Sequence, residues 1–447
     1  MRIRSAQTFT VILLMFSISV AASDWNRFRG PNGDGISGDE KPTPVKWSES
    51  ENLKWKVELP GPGSSSPIVV GKRVFVTCWS GYGVNGNTSD QKQLKRHLVC
   101  IDRETGKTTW KKDIDAYLPE DRYGGMFAEN GYASHTPVSD GERVFVFFGK
   151  TGVLAFDLDG KQLWQQSVGT ESGAKNWGSA SSPILYKNMV IVPATAESES
   201  MVALDKETGK QVWQAEAGGF SATWGTPVLV EVSKDETDLV IAVPYEVWGF
   251  NPDTGKLRWY CDGIQSDSMC SSVVAHDGIV YAVESGPGGG GAIAVRCGGK
   301  GDVTETHVLW TTRDRGRIGT PVFYGERIYW VSGGIANCID AQKGNRVYQS
   351  RMTGASSSGG RDAGGGRGGF GGRGGQDYSS PVSADGKLYY TTRAGTTYVI
   401  ALEEKFQQLA QNSLSDGGDF SATPAISDGE LFIRSTKNLY CISPSKK

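Results

Sequence analysis

The sequence predicts an all-β protein, an eight-bladed β-propeller of four-stranded antiparallel sheets. Three observations predict it: a hairpin motif that recurs along the chain, a short opening step that recurs with it, and a content of 60 glycines with 10% aromatic residues. Short strands joined by tight turns have this composition. Sheets repeated radially at roughly 45 residues close into a ring that leaves no long exposed edge.

The hairpin motif places an aromatic residue four positions after a turn glycine. Its copies read IDRETGKTTW, FDLDGKQLW, LDKETGKQVW, FNPDTGKLRW and IDAQKGNRVY. An apolar strand ends in Asp or Asn, and glycine supplies the positive φ that the turn needs before the second strand. We expect the aromatic residue to dock each hairpin against its neighbour. The docking aromatics are then Trp55, Trp110, Trp164, Trp213, Trp259, Trp310 and Tyr348.

The opening step is a pair of small residues before Pro-Val or Pro-Ile, and it predicts the first strand of each repeat. Its eight copies lie at Pro67, Pro137, Pro183, Pro227, Ser272, Pro321, Pro381 and Pro424. Eight blades follow, with seven as the alternative because the fifth and seventh repeats are degenerate. The last repeat has only three strands, so we expect residues 53–59 to supply its outer strand. The N- and C-terminal segments would then close one blade.

The chain divides into three parts. Residues 1–22 join two arginines to an apolar run and small residues, which predicts a secretory signal peptide. Residues 23–52 are an N-terminal extension, and residues 53–447 form the propeller domain. We therefore expect a monomeric protein that is periplasmic or secreted, without a transmembrane segment in its mature form.

Two insertions interrupt the repeats. Residues 354–375 are rich in glycine and arginine and predict a flexible loop. An RGG-like nucleic-acid arm is the alternative, but three arginines are few and the net charge of −2 gives no attraction to nucleic acid. Residues 111–135 are rich in aromatics and predict either an ordered cap over a pocket or a simple packed loop. Among the seven cysteines, Cys261 and Cys270 are the candidates for a disulfide.

The D-x-x-T-G-K-x-x-W pattern of the hairpins resembles the tryptophan-docking repeat of quinoprotein (PQQ-like) propellers and of BamB-like exported propellers. The resemblance covers nearly all of residues 53–444. It implies the fold, together with two different functions. A BamB-like protein would be a scaffold for envelope partners, whereas a quinoprotein dehydrogenase would hold PQQ beside a calcium ion.

Position in the repeat predicts which residues surround the mouth of the central channel. The loops before each first strand, and those between the second and third strands, share one face of a propeller. The candidate ligand-binding residues on this face are Trp177, Trp224, Arg315, Arg317 and Tyr378. The tryptophans would stack on a planar ring or a sugar, or plug the channel. The arginines would receive an anionic group, or pair with nearby carboxylates.

Three glutamates of successive blades lie on the same face, namely Glu197, Glu246 and Glu284. Together they would form a carboxylate site for a hard cation such as calcium. The alternative is that they are three solvated side chains at the rim. PQQ and calcium are therefore candidate cofactors, and no cofactor is firmly predicted.

The sequence favours a binding protein over an enzyme. It contains no G-x-S-x-G, H-E-x-x-H or C-x-x-C-H motif. It also lacks the adjacent cysteines that the resemblance would lead us to expect in a PQQ-dependent dehydrogenase. We therefore predict an exported scaffold that recognises a protein, peptide or glycan, with the dehydrogenase as the alternative. Hydrolysis or sugar lyase chemistry at the channel mouth is a third hypothesis.

Overall fold

The computed structural model describes residues 24–39, 41–286, 289–355 and 376–444. The predicted signal peptide and residues 356–375 of the glycine- and arginine-rich loop lie outside these ranges. Within them, no helix is both long enough and apolar enough to cross a membrane.

Eight sheets form an eight-bladed propeller, so the predicted fold and the count of eight are confirmed. The first strand along the chain, β1 (Leu53–Glu58), belongs to the last blade. Blades one and two contain β2 (Ile68–Val70), β3 (Arg73–Ser80), β4 (Lys95–Asp102), β5 (Thr108–Asp115), β6 (Val138–Ser139), β7 (Arg143–Phe147), β8 (Val153–Asp157) and β9 (Gln162–Gln166). Blades three and four contain β10 (Ile184–Tyr186), β11 (Met189–Ala194), β12 (Ser200–Asp205), β13 (Gln211–Glu216), β14 (Val228–Ser233), β15 (Glu236–Val243), β16 (Glu246–Phe250) and β17 (Leu257–Asp262).

The remaining blades repeat this plan. Blade five contains β18 (Val274–His276), β19 (Ile279–Gly286), β20 (Gly289–Arg296) and β22 (Val308–Thr312), and β21 (Gly301–Asp302) pairs with β17 of blade four. Blades six, seven and eight contain β23 (Val322–Tyr324), β24 (Arg327–Ser332), β25 (Ile335–Asp340), β26 (Arg346–Arg351), β27 (Val382–Ala384), β28 (Lys387–Thr391), β29 (Thr396–Ala401), β30 (Gln408–Ser413), β31 (Ala425–Ser427), β32 (Glu430–Arg434) and β33 (Asn438–Ile442). Short helices α1 (Phe127–Asn130) and α2 (Thr304–His307) and 3-10 turns at Gln91–Gln93, Gly149–Thr151 and Gly218–Ala222 lie in the connections.

The two ends of the chain close the eighth blade. Strand β1 pairs antiparallel with β33, and Trp55 lies opposite Cys441. Because the outer strand and the three inner strands come from opposite ends of the chain, the pairing of β1 with β33 closes the ring non-covalently within this blade. This is the closure that the three-stranded last repeat predicted.

Five of the seven docking aromatics contact the next blade in the same way. Each indole N–H donates to a backbone carbonyl just after the third strand of that blade, at 2.8 to 3.2 Å. The ring also covers the turn glycine so closely that an added Cβ would lie 2.4 to 3.0 Å from it. These contacts involve Trp55, Trp110, Trp164, Trp213 and Trp310. Glycine is therefore needed at the turn for space as well as for its positive φ.

Trp259 and Tyr348 depart from this pattern, because the blades that follow them have lost the regular turn. Trp259 donates instead to the Asp238 carboxylate of its own blade at 2.7 Å. That carboxylate is fully buried, and it also accepts the backbone N–H of Gly298 in blade five at 2.9 Å. Tyr348 packs against Phe406 of blade seven, with ring centroids 5.8 Å apart.

A ring of hydroxyls joins the blades where their first strands begin. In seven steps around the channel, a backbone N–H of one blade donates to the Ser or Thr hydroxyl of the next, at 2.8 to 3.0 Å. We call these eight residues the hydroxyl ring: Ser66, Thr136, Ser182, Thr226, Ser272, Thr320, Ser380 and Thr423. The ring explains why small polar residues recur before each first strand.

The N-terminal segment 24–39 crosses the channel. Trp25 pairs with Val69 of blade one, and Asn26 exchanges hydrogen bonds with Ser139 of blade two. Arg29 reaches the opposite side of the ring and donates to the carbonyls of blades six and seven at 2.5 to 3.2 Å. Since blades two and six face each other across an eight-membered ring, the segment closes one end of the channel.

All seven cysteines lie in the described part of the chain, and all are free thiols. The alternative in which Cys261 and Cys270 form a disulfide is thus not seen. Burial raises the pKa of the Cys261 thiol to about 12. These thiols pack as small apolar side chains.

Candidate functional site

A cavity of about 330 Å³ occupies the channel above the N-terminal segment. All eight residues of the hydroxyl ring line it, and Phe28 of the N-terminal segment lies at its closed end. Met126 and Asn130 of the 111–135 insertion contribute to its rim. The cavity is therefore a cup with a single open end.

The hydroxyl ring gives this cup a particular hydrogen-bonding character. Seven of its hydroxyls accept a backbone N–H, and none of the seven donates to another described residue. A hydroxyl carries one donor and two acceptor positions, so each retains its proton for a ligand. Each also keeps one acceptor position, so the lining offers both donors and acceptors and suits a ligand rich in hydroxyl groups.

Trp177 and Trp224 form one aromatic wall of the cup. Their rings stack with centroids 5.0 Å apart and 29° between the planes. The Trp224 indole donates to the Gly178 carbonyl at 2.7 Å, which fixes its orientation. Phe127 of the insertion packs on Gly178. Both tryptophans are half-buried and line the cavity, so the insertion supports an aromatic surface at its edge.

Tyr378 lines the cup from blade seven. Burial raises the pKa of its phenol to about 12, so it remains a neutral donor at physiological pH. The guanidinium of Arg393 lies 5.9 Å from the ring centroid and is itself paired with Glu129 and Asp419. Tyr378 therefore presents a neutral hydroxyl near an arginine that is already paired with two carboxylates.

Arg317 is the only charged residue that lines the cup within the described ranges. It is exposed, and no described residue forms an ion pair or hydrogen bond with its guanidinium. Arg315 is also exposed but does not line the cavity, and its backbone carbonyl accepts the Trp330 indole N–H at 3.0 Å. Of the five predicted ligand-binding residues, the structure thus gathers Trp177, Trp224, Arg317 and Tyr378 around one cavity.

The three glutamates are not brought together. Glu284 is buried and accepts four backbone N–H groups, including those of Cys270 and Ser271 at 2.7 Å. Glu246 is half-exposed and accepts the Trp248 indole N–H of its own strand at 2.5 Å. Glu197 is buried and accepts a hydrogen bond from the Ser179 hydroxyl. Among the described residues, no three His, Cys, Asp or Glu side chains are grouped to hold a metal.

The donor set of the cup does not fit calcium. A protein binds calcium with six to eight oxygens, among which carboxylates are prominent, and none of the described residues that line this cavity is Asp or Glu. The described lining therefore does not supply the carboxylates that would hold calcium beside a quinone.

A second, smaller cavity of about 20 Å³ lies beneath the insertion and is large enough for one water molecule. Around it, His135 Nε2 lies 2.9 Å from the Ser179 hydroxyl, which donates to Glu197. Burial raises the pKa of Glu197 to about 7 and lowers that of His135 to about 3. His135 Nδ1 and Glu197 Oε2 are buried, and no described residue forms a hydrogen bond with either atom.

This buried polar network was missed by sequence reasoning, which placed Glu197 at a calcium site and gave His135 no role. His135 stands two positions before Pro137 and Ser179 four positions before Pro183, so both lie in the loops that lead into a first strand. That shared place in the repeat is a signal that they face each other across neighbouring blades.

Comparison with known proteins agrees with the fold. A family model described as outer membrane protein assembly factor BamB matches residues 79–221 and 194–413. The chain belongs to this family of PQQ-repeat β-propellers. The predicted family resemblance is therefore confirmed.

Individual members of the family are more distant. A polyvinylalcohol dehydrogenase of Pseudomonas sp. is 23% identical over 46% of this chain and 35% of its own length. The outer membrane protein assembly factor BamB of Burkholderia pseudomallei is 29% identical over 34% of this chain and 29% of its own length. The chain thus matches about a third of the length of these relatives.

Solved structures share the fold at low identity. A europium-containing methanol dehydrogenase superposes with a TM-score of 0.59 and 12% identity, covering 92% of this chain and 89% of its own. A likeness at this level shows the propeller architecture and leaves the function to the site itself.

Proposed function

We propose that this protein is an exported scaffold that binds a protein, peptide or glycan of the cell envelope in the cup at the channel mouth. The observation that carries the proposal is the cup itself. It is closed at one end by the N-terminal segment, lined by hydroxyl groups, flanked by a tryptophan pair and bordered by Arg317, which has no ion-pair partner among the described residues. Such a concave site with a few convergent polar groups is typical of ligand recognition.

The comparisons support a place in the envelope. The family model and one relative carry the name of an outer membrane protein assembly factor. A periplasmic or secreted location, reached with a cleaved signal peptide, agrees with that name. The protein acts as a monomer in this proposal, because a single propeller supplies the complete cup.

A PQQ-dependent dehydrogenase is the second candidate, because relatives of 22% and 23% identity are polyvinylalcohol dehydrogenases. The lining of the cup argues against a calcium-held quinone, as described above. Titration with PQQ, with and without calcium, separates the two candidates. Saturable, calcium-dependent stabilisation would favour the dehydrogenase.

The binding function is tested by screening envelope peptides and glycans with tryptophan fluorescence and thermal shift. We expect at least one ligand that stabilises the protein and perturbs the emission of Trp177 and Trp224. Its affinity should fall in Tyr378→Phe and remain unchanged in Arg296→Gln. Arg296 is an exposed arginine at the far end of β20, so it serves as the control. Ligands that bind Tyr378→Phe and the wild type equally would contradict a site in the cup.

A further inference from the structure

We propose that the ligand of the cup is the end of an acidic sugar chain, with carboxylate or sulfate substituents. This inference rests on the proposed binding function and names the class of ligand. It is carried by the charge of one loop, the hydrogen-bonding character of the lining and the closed end of the channel.

The loop between β22 and β23 carries an excess of positive charge. Arg313, Arg315 and Arg317 are exposed and have no ion-pair partner among the described residues. The one acid of the loop, Asp314, is paired with Arg346, whose Nε lies 2.9 Å away. Within the described part of the chain, these three guanidinium groups have no ion-pair partner. Arg317 lines the cup, and Arg313 and Arg315 precede it in the same loop, so an anionic group held at Arg317 would gain charge-assisted hydrogen bonds there and could extend along the loop.

Most of the described acidic side chains near this site are paired. Asp267 is paired with Lys175, whereas Glu129 and Asp419 share Arg393, which leaves one net negative charge in that cluster. Glu284 lies behind the wall and accepts four backbone N–H groups. The excess positive charge of the arginine loop is therefore larger than the negative charge left by this cluster.

The lining suits a sugar. Each hydroxyl of a sugar both donates and accepts, and each N–H-bonded hydroxyl of the ring keeps one donor and one acceptor position for it, with Arg317 as a further donor. Sugar oxygens accept such donors. A sugar ring also has an apolar face that can lie on the Trp177 and Trp224 wall.

The closed end of the cup determines how a chain would enter. Arg29 fastens the N-terminal segment across the channel, and Phe28 lines the bottom of the cavity. A chain therefore cannot pass through the propeller. The cavity of about 330 Å³ is at the small end of ligand sites and suits the end of a chain. The following units would then pass over the arginine loop.

The test compares four probes by calorimetry and tryptophan fluorescence. Tetragalacturonate carries carboxylates, its fully methyl-esterified form has the same rings without charge, a carrageenan tetrasaccharide carries sulfates, and tetraglutamate is an acidic peptide. We expect one of the acidic sugars to bind saturably and at least tenfold more tightly than the ester and tetraglutamate. The stronger of the two identifies the substituent.

Variants assign the binding to the loop. Arg317→Gln should weaken the acidic sugar at least tenfold and Arg315→Gln by a smaller factor, while Arg296→Gln should leave it unchanged. Because Arg317 is exposed, its replacement is not expected to affect folding, which circular dichroism checks. An ester that binds as tightly as the acid, tighter tetraglutamate, or wild-type affinity in Arg317→Gln would each overturn the proposal.

A different result separates this inference from the proposed function. If no acidic sugar binds, but the screen above finds a neutral ligand that depends on Tyr378, the acidic-sugar inference falls and the binding function stands. If neither acidic sugars nor any ligand of the screen binds in the cup, both fall.

Discussion

The replacement Glu197→Gln should remove a pH-dependent loss of stability. Glu197 is 3% exposed, and its Oε1 accepts the Ser179 hydroxyl. Its other carboxylate oxygen is buried and has no hydrogen-bond partner in the described part of the chain. Gln retains the acceptor for Ser179 and nearly the same shape, and it cannot ionise.

The magnitude follows from the pKa of Glu197, which burial raises from 4.5 to about 7. Between these two pH values the folded protein keeps a proton that the unfolded chain has lost. Raising the pH therefore favours unfolding, and the contribution to stability present below pH 4.5 is lost as the pH approaches 7. The shift corresponds to about 3 kcal/mol, so Glu197→Gln should gain about that much on the wild type across this window.

The effect has to be measured as a difference between two proteins. Burial lowers the pKa of His135 to about 3, so the wild type also loses stability as the pH falls from 6.5 to 3. The two groups have opposite slopes where their windows overlap. Because both proteins retain His135, subtracting one curve from the other isolates Glu197.

The assay is calorimetric unfolding at pH 4, 5, 6, 7 and 8. For a chain of 447 residues, 1 kcal/mol corresponds to about 1 °C in the midpoint. The midpoint of Glu197→Gln should therefore rise relative to the wild type by about 3 °C between pH 4.5 and 7. Glu142→Gln, whose side chain is 80% exposed, is the control for the loss of one negative charge. Parallel curves for Glu197→Gln and the wild type would refute the reasoning.

Three further predictions concern the propeller framework. Gly209→Ala places a Cβ 2.7 Å from the Trp164 ring, whereas a Cβ in Gly386→Ala meets open space at a similar positive φ. Chemical denaturation should therefore show about 1 to 3 kcal/mol more destabilisation in Gly209→Ala than in Gly386→Ala. Equal losses would mean that the ring does not restrict the turn. Trp259→Phe should destabilise the protein by about 1.5 to 3 kcal/mol, because it removes a hydrogen-bond donor to a buried carboxylate. Trp164→Phe loses a hydrogen bond to a backbone carbonyl and should cost about 1 kcal/mol. The reverse order of the two denaturation midpoints would contradict these roles. Arg29→Met should release the N-terminal segment and accelerate its cleavage in limited proteolysis, since three buried carbonyls of blades six and seven lose their donor, and unchanged cleavage would argue against the closure.

The repeat period of the sequence predicted the positions of several residues that line the cup. Trp177, Trp224 and Tyr378 precede opening steps, and in a propeller that position fixes the end of the blade on which a residue lies. The same reasoning places Arg317 at the mouth. Local order along the chain is enough for this, because every blade repeats one geometry.

The repeat period of the sequence did not predict where the three glutamate side chains point. Their place in the repeat indicated the correct face, but each side chain turned to partners that depend on its own loop. Glu284 meets the backbone of a neighbouring loop, and Glu246 meets Trp248. A repeat predicts position on a blade, whereas the direction of a side chain depends on loop length and on what packs beside it.

The sequence by itself determined the propeller, the number of its blades and the residues around its mouth, because these follow from motifs repeated over short distances. Only the tertiary structure decided that the channel is closed, since Arg29 meets carbonyls about 290 to 350 positions later in the chain. It likewise decided that the Trp259 indole donates a hydrogen bond to Asp238, and that Ser179 links His135 to Glu197 by hydrogen bonds. These contacts arise when the ring closes and brings residues from distant repeats together across the channel or between blades.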